Sequence, residues 1–475
     1  MSVEDRLYPL LSKFQALPEW MQFGIASGYR LIPRRFRLGK TYQDFENLIE
    51  RSLDWSSEEI EEYQFKQLRK VLIHAGNYCT FYQRKFSRAV FRPEELRTVS
   101  DMAKCPLLDK SEIQQNLSEM TSTDLPKASR LYMTTGGSTG VPVPFYLHKG
   151  ISRPKEQAFL EAMWKRAGYF NGAKVAVIRG QVTSAHSGGK IVFRDYVRNW
   201  LMLSSYHLTE ERWPEYMEAL ESYRPDFLHA YPSAALQIAE YLEKSGQTWR
   251  IPLKALLCGS EQLTLPQKRM LERIFHCRVY RWYGHSERAA LAGEGASTDY
   301  FYFWPQYGYV EFGPPDAEGL REVIATSFHN FVMPLVRYRT GDMVELTKPS
   351  DPKEFDWPAA VRVAGRGQEF LVSKLGRRIS LTAINMHDDI FDYLLAVQFF
   401  QEEPGITELR YVPGPGFSST RLGMIEERLK QKLGEDFELR FAAVHEVEKT
   451  SSGKHRWLIS NLQPAVSPEA ASLKS

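Results

Sequence analysis

Nine consecutive residues, Thr134-Thr135-Gly136-Gly137-Ser138-Thr139-Gly140-Val141-Pro142, hold three glycines and four hydroxyl side chains. Glycine has no Cβ, so a ligand can come close to the backbone. Successive N–H groups in such a loop form a concave nest for an anion. Ser and Thr add hydroxyl donors, and Pro142 stiffens the exit by fixing φ. The chemistry that suits these residues is phosphate binding. The loop is not a Walker A motif, because no Gly-Lys-Ser/Thr follows at the required spacing. A plain surface turn has the same composition, so the residues downstream must decide. Cys79, Cys105, Cys258 and Cys277 are scattered, with no CxxC pair. That spacing argues against a zinc ribbon or a disulfide frame and for a reducing compartment.

The elements that must carry this loop follow from periodicity. Residues 174–178 are apolar and β-branched, which predicts a buried strand. Residues 213–223 and 233–244 have the spacing of amphipathic helices. Between them, 226–231 reads as a strand that turns at Pro232. A strand over 253–258 ends at Gly259-Ser260-Glu261, then come a helix over 266–275 and a strand over 277–283. Strands alternating with helices predict an α/β fold with mixed, largely parallel sheets packed with helices. Ligands of such sheets sit beyond the carboxyl ends of the strands. The Gly-rich loop, Gly259-Ser260-Glu261 and Tyr283-Gly284-His285-Ser286-Glu287 all fall at such ends.

Residues 1–130 read as helical, with helices over 44–55 and 57–75. Ser56 or Ser57, followed by Glu59 and Glu61, has the pattern of an N-terminal cap. Arg30, Arg34, Arg35, Arg37 and Lys40 make either a solvated basic face or a contact for a membrane or acidic partner. Residues 307–365 read as a β-rich subdomain, with strands over 308–312, 321–327 and 335–339. Gly365-Arg366-Gly367 is a turn or linker. Beyond it lies a smaller α+β region with a helix over 425–433 and a strand over 437–447. The expected organisation is a large domain over 1–364, a small mobile α+β domain over 365–463 and a frayed tail over 464–475.

Bulk properties narrow the class. A chain of 475 residues exceeds one ordinary core. Its 43% hydrophobic and 25% charged residues are those of a globular protein. With 61 basic and 58 acidic residues the net charge is +3, so nothing electrostatic requires nucleic acid or an anionic membrane. No signal-peptide pattern opens the chain, and no apolar run of about 18 residues is present. A soluble cytoplasmic protein without a transmembrane segment is expected.

Five short motifs stand in one order. They are the Gly-rich loop; Tyr283-Gly284-His285-Ser286-Glu287; Tyr338-Arg339-Thr340-Gly341-Asp342; Gly365-Arg366 through Gly376-Arg377-Arg378-Ile379; and Lys449-Thr450-Ser451-Ser452-Gly453-Lys454. Together they resemble the motifs of the adenylate-forming superfamily of acyl-CoA synthetases, peptide-synthetase adenylation domains and luciferases. Pro106-Leu107-Leu108-Asp109-Lys110 and His229-Ala230-Tyr231-Pro232-Ser233 are similar to its phenylacetate–coenzyme A ligase-like branch. That branch includes ligase-like proteins of capsular-polysaccharide clusters. The resemblance covers about residues 100–460.

The resemblance implies an ATP-dependent ligase with ATP, Mg²⁺ and coenzyme A as cofactors. A small carboxylic acid, aryl on this resemblance, would be activated as an acyl adenylate and passed to coenzyme A. An amine or hydroxyl acceptor is the alternative, and a non-catalytic nucleotide-binding protein a further one. Lys454 would bridge the carboxylate and the α-phosphate, with Lys449 as runner-up; a lysine suits developing negative charge as a mobile point charge. Glu287 would hold Mg²⁺, Arg378 a phosphate, and Asp342 with Arg366 the ribose. Thr134 to Gly140 would cradle phosphate. Gly259, Ser260 and Glu261 would line the base pocket, with Tyr283, Gly284 and Ser286 beside them. Tyr206, His207, His229, Tyr231 and His285 would form the acid pocket. Gln368 stands where the hinge usually has Asp, and Val141 where relatives carry a lysine before Pro142. The first departure bears on the coenzyme A step, since that hinge turns the small domain.

Overall fold

The computed structural model describes residues 14, 17–32, 34–134, 143–179, 191–316, 319–364, 370–381, 384, 391, 393–414, 416–448, 457–460 and 462. These form two compact units. The first gathers the described residues of Met1–Thr134, Val143–Ser205 and Pro214–Gly367; the second joins Tyr206–Trp213 to those of Gln368–Ser475.

The first unit opens with helices α1 (Glu19–Leu31), α2 (Arg34–Ser52), α3 (Ser57–Tyr78), α4 (Thr80–Arg88) and α5 (Lys110–Met120). Gly39, at φ 81, kinks α2. The helix expected over 44–55 is the end of α2. The cap of α3 is a capping box: Glu59 N–H donates to Ser56 Oγ, and Ser56 N–H donates to Glu59 Oε2. Two orphan N–H groups of the first turn are thereby satisfied. Leu68, Val71, Leu72, Tyr82 and Phe86 of α3 and α4 bury into one core with Val323, Val336 and Tyr338.

A short pair, β1 (Arg130–Thr134) and β2 (Pro144–His148), precedes α6 (Ser152–Lys165). The main sheet is then built from β3 (Val175–Arg179), β4 (Val192–Asp195), β5 (Trp200–Ser204), β6 (Phe227–Ala230), β7 (Ala255–Gly259), β8 (Arg278–Gly284), β9 (Leu291–Glu294), β10 (Phe301–Phe303), β11 (Gly308–Pro315), β12 (Arg321–Ser327), β13 (Tyr338–Leu346) and β14 (Ala359–Ala364). The connections after β5, β6 and β7 are helices α7 (Trp213–Tyr223), α8 (Pro232–Ser245) and α9 (Leu265–Phe275). The order is β11-β12-β13-β14-β10-β9-β8-β7-β6-β3-β5-β4. The run β8-β7-β6-β3-β5 is parallel, and the other pairings are antiparallel. This is the mixed α/β fold that the alternation predicts, with its parallel character in one block. β6 and β7 are buried along their whole length, as strands covered on both faces must be. Each fully buried Leu there contributes about 1.5–3 kcal/mol of hydrophobic stabilisation.

One strand is displaced from its expected place. In place of 335–339, β13 runs Tyr338–Leu346. Arg337 takes a left-handed φ of 47, which breaks extended pairing, and its guanidinium is bonded to Glu311 and to backbone carbonyls. The strand therefore starts after Arg337.

In the second unit β17 (Leu394–Glu403) and β18 (Ile406–Pro413) pair antiparallel, following a small pair formed by β15 (Phe370–Val372) and β16 (Arg378–Ser380). Strands β19 (Glu438–Ala443) and β20 (Leu458–Ser460) add in parallel on either side, giving β19-β18-β17-β20. The strand expected over 437–447 ends early because Val444 N–H turns to the Tyr411 carbonyl and the chain bends. Helix α10 (Ser419–Leu433) buries Ile425, Leu429 and Leu433. Arg377, itself buried, bonds Asp436 and the Leu433 carbonyl, which pins the end of α10.

Candidate active site

The two motifs with carboxylates, on β8 and β13, interlock. Tyr338 at the start of β13 donates its hydroxyl to Glu287 Oε1, just past β8, at 2.6 Å. In return Tyr283 on β8 donates to Asp342 Oδ2 on β13 at 2.8 Å. Each motif thus supplies the tyrosine that holds the other's carboxylate. In the sheet order β14, β10 and β9 lie between these strands, so the sheet must coil to bring the motifs face to face.

Glu287 is 5% exposed, and both its oxygens are bonded. His285 Nδ1 lies 3.0 Å from Oε2, while the Ala290 N–H donates to His285 Nε2 at 3.1 Å. The second contact requires a lone pair on Nε2, so the ring hydrogen sits on Nδ1 and points at Glu287. Burial alone would raise the Glu287 carboxyl. His285, the Lys110 ammonium and the Tyr338 hydroxyl outweigh it and hold the carboxyl at about 2. Lys110 arrives at the start of α5 because the preceding segment is stitched to β13: Leu108 N–H donates to the Arg337 carbonyl, and Arg339 N–H to the Leu108 carbonyl. Burial, and then the Asp342 charge, keep the Tyr283 hydroxyl protonated and hence a donor. Asp342 Oδ1 has no bond among the described residues.

No group of three or more His, Cys, Asp or Glu that could hold a metal occurs among the described residues. A single ionised carboxylate such as Glu287 fits Mg²⁺ of another kind, the ion carried in on a nucleotide's phosphates, which needs only one or two protein oxygens.

The other expected site residues are distributed as follows. Thr134 ends β1, paired with Pro144. Gly259 closes β7 beneath Trp282; a Cβ there would lie 2.1 Å from the indole. Ser260 takes a left-handed φ of 71. Glu261 Oε2 accepts from Ser233 N–H at 2.9 Å, at the start of α8. Gly284 ends β8, and Ser286 is half-buried in the turn after it. His229 is the penultimate residue of β6, and Tyr231 is the N-cap of α8. His285, expected in the acid pocket, has both ring nitrogens engaged and acts as a brace on Glu287. Tyr206 and His207 belong to the second unit, where burial, Arg377 and Arg212 lower the His207 pKa. Arg378 lies in β16. Thr135 to Gly140, Arg366, Gln368, Lys449 and Lys454 lie outside the described residues.

One residue of the strand ends escaped the sequence reading. Arg179 is the last residue of β3, one beyond the apolar run that marked the strand. Its guanidinium meets His229 Nε2 at 2.8 Å and Ser260 Oγ at 2.6 Å, and lies over the Tyr231 ring at 4.6 Å. The ring of His229 is packed between Trp164 and Trp282, at centroid distances of 5.0 and 5.4 Å. The only available signal was an arginine directly after a buried strand.

Residues 371–461 match the family model of the CapK C-terminal domain. Protein CapK of Staphylococcus aureus is 25% identical over 382 residues, covering 77% of this chain and 82% of that protein. The phenylacetate-coenzyme A ligase of Escherichia coli (strain K12) is 24% identical over 335 residues, covering 67% and 73%. Among solved structures, 2-hydroxyisobutyryl-CoA ligase in the postadenylation state, in complex with R3-HIB-AMP, superposes with a TM-score of 0.54 at 17% identity, over 87% of this chain and 92% of that one. Its open conformation with 2-HIB-AMP and CoA gives 0.53 at 18% identity, over 86% and 93%. The chain is therefore a homologue of CapK and of the phenylacetate–coenzyme A ligases, with the fold of the acyl-CoA ligases of the adenylate-forming superfamily.

Proposed function

We propose that the protein is an ATP-dependent ligase that activates a small carboxylic acid as its acyl adenylate and transfers the acyl group to coenzyme A. A carboxylate oxygen of the acid attacks the α-phosphorus of ATP. The bond from that phosphorus to the bridging oxygen breaks, and pyrophosphate leaves. The thiol sulfur of coenzyme A then displaces AMP at the acyl carbon and loses its proton. The observation that carries this reading is the reciprocal brace: two carboxylates from two motifs, each held by the other motif's tyrosine. Catalysis of phosphoryl chemistry is mostly positioning and electrostatics, which rigid, ionised groups supply.

In this reading Asp342 accepts hydrogen bonds from the ribose hydroxyls through its open oxygen, while Tyr283 keeps that carboxylate in place. Glu287 would hold Mg²⁺, which would supply positive charge against the phosphates. Thr134 to Gly140 cradle those phosphates. Lys454 supplies the cation between the acid and the α-phosphate. Trp164, Tyr231 and Trp282, clustered around the ends of β6 and β8, favour an aryl acid.

Acid-dependent ATP–pyrophosphate exchange across a carboxylic-acid library tests the proposal. Exchange is expected with a subset of acids, falling on the order of 10²–10³-fold in Lys454→Ala. No exchange with any acid would favour a non-catalytic nucleotide-binding protein. Gln368, at the hinge position where Asp is usual, supports a second reading in which an amine or hydroxyl accepts the acyl group. Adding coenzyme A, then amines, to acid and ATP separates the two acceptors.

A further inference from the structure

Among the described residues, the positively charged guanidinium of Arg179 has no partner of opposite sign. Its contacts are a histidine nitrogen, a serine hydroxyl and the face of a tyrosine, and among the described residues it forms no ion pair. Since arginine only donates, His229 Nε2 must be the acceptor, and the ring hydrogen is on Nδ1. That Nδ1 is buried and has no partner among the described residues. Burial, reinforced by Arg179, holds the His229 pKa well below its ordinary value, so the ring is neutral and compensates no charge. The cost of such an arrangement is an isolated cation in partly desolvated surroundings. What it provides is a fork fixed in plane and direction, with N–H donors left for a bidentate acceptor.

The position of the fork is also informative. Arg179 leaves β3 and reaches Ser260 beyond the end of β7, and β7 neighbours β8. Adjacent strands are about 5 Å apart, so the fork stands one strand from the motif that carries Glu287. That separation suits the far end of a small acid whose reacting carboxylate lies toward β8.

Resting on the proposed acid-activating function, we infer that Arg179, oriented by His229 and Ser260, binds a second anionic oxygen group of the acid, remote from the carboxylate that is activated. The substrate class is then a small dicarboxylic acid, or an acid with an equivalent oxyanion.

Matched pairs test this: glutarate against valerate, and 2-carboxyphenylacetate against phenylacetate, in pyrophosphate exchange with the full chain. The wild type should favour the diacid of at least one pair by about tenfold or more in kcat/KM, the scale of one charge-assisted bidentate contact. Arg179→Gln should erase that preference through KM, with the monoacid rate kept. Arg179→Lys, which keeps the charge but loses the fork, should fall between. A wild type that favours no diacid, or an Arg179→Gln variant that loses both members of a pair equally, overturns the inference. Calorimetric titration of glutarate without ATP separates this from failure of the ligase reading. If no acid supports exchange, glutarate binding to wild type but not to Arg179→Gln still upholds the anion site. Equal or absent binding in both proteins sinks it.

Discussion

The first unit contains two clusters of buried charge, and they are built on opposite plans. Around Lys268, which is wholly buried, everything closes: its ammonium meets Glu294 at 2.7 Å and Asp299 at 2.6 Å. Glu294 also takes the Arg281 backbone N–H at 3.0 Å and its Nε at 2.6 Å. Arg281 spends its remaining donors on the Leu263 and Asp299 carbonyls. Charges cancel within the cluster. Around Glu287 the carboxylate is fixed by a hydroxyl and an imidazole, and nearby Asp342 keeps one oxygen open. A closed network joins α9 to β8 and β9 and fixes packing. An open one keeps acceptors ready for something that arrives later. Burial and ionisability alone do not separate them; the count of unmet partners does.

Glu287→Gln should break the contrast most visibly. It removes the charge but keeps the shape, so exchange activity should drop on the order of 10²–10³-fold, while the chain still folds. Glu294→Gln should do the reverse. Leaving Lys268 and Arg281 short of a buried partner should cost about 3–5 kcal/mol in urea unfolding, while the folded fraction turns over at close to the normal rate. A variant pair in which these roles exchange would erase the distinction.

Tyr338→Phe sharpens it on a smaller scale. Loss of the hydroxyl frees Glu287 Oε1, which should slow exchange about tenfold and lower stability by about 1 kcal/mol. The finest distinction is in pH. Glu287, depressed to about 2 from an ordinary 4.5, contributes stability above pH 4.5 that is lost as pH falls toward 2. Glu294 is raised by burial despite Arg281 and Lys268, so its term has the opposite sign and stability is lost as pH rises through its folded value. Subtracting the urea midpoints of the two Gln variants from wild type, pH by pH, should give slopes of opposite sign.

Much of the scaffold was legible because it is local. The strand ends at Gly259 and Gly284 follow from apolar runs that stop at small residues, and the cap of α3 follows from Ser56 and Glu59. The start of β13 was not legible, because a left-handed Arg337 is held by Glu311 and by carbonyls far back in the chain. The carboxylates of the site stood out through their motifs, and so did Tyr283 as a border of the base pocket, but not the hold of Tyr283 on Asp342 or of Tyr338 on Glu287. Tyr338 and Glu287 are 51 residues apart, and only a coiled sheet joins them. Arg179 is the extreme case: its partners lie 50 and 81 residues downstream, and no spacing rule connects them.

One missing methyl group governs that arginine. With nothing but hydrogen on its α-carbon, residue 259 lets the indole of Trp282 pack directly against the strand end. The indole is a wall for the imidazole of His229, and the imidazole sets the angle of the guanidinium. Gly259→Ala would therefore act like a wedge at the foot of a three-piece lever. A change of a few atoms at the floor would swing the cation at the top, altering which acids enter without touching any group that reacts.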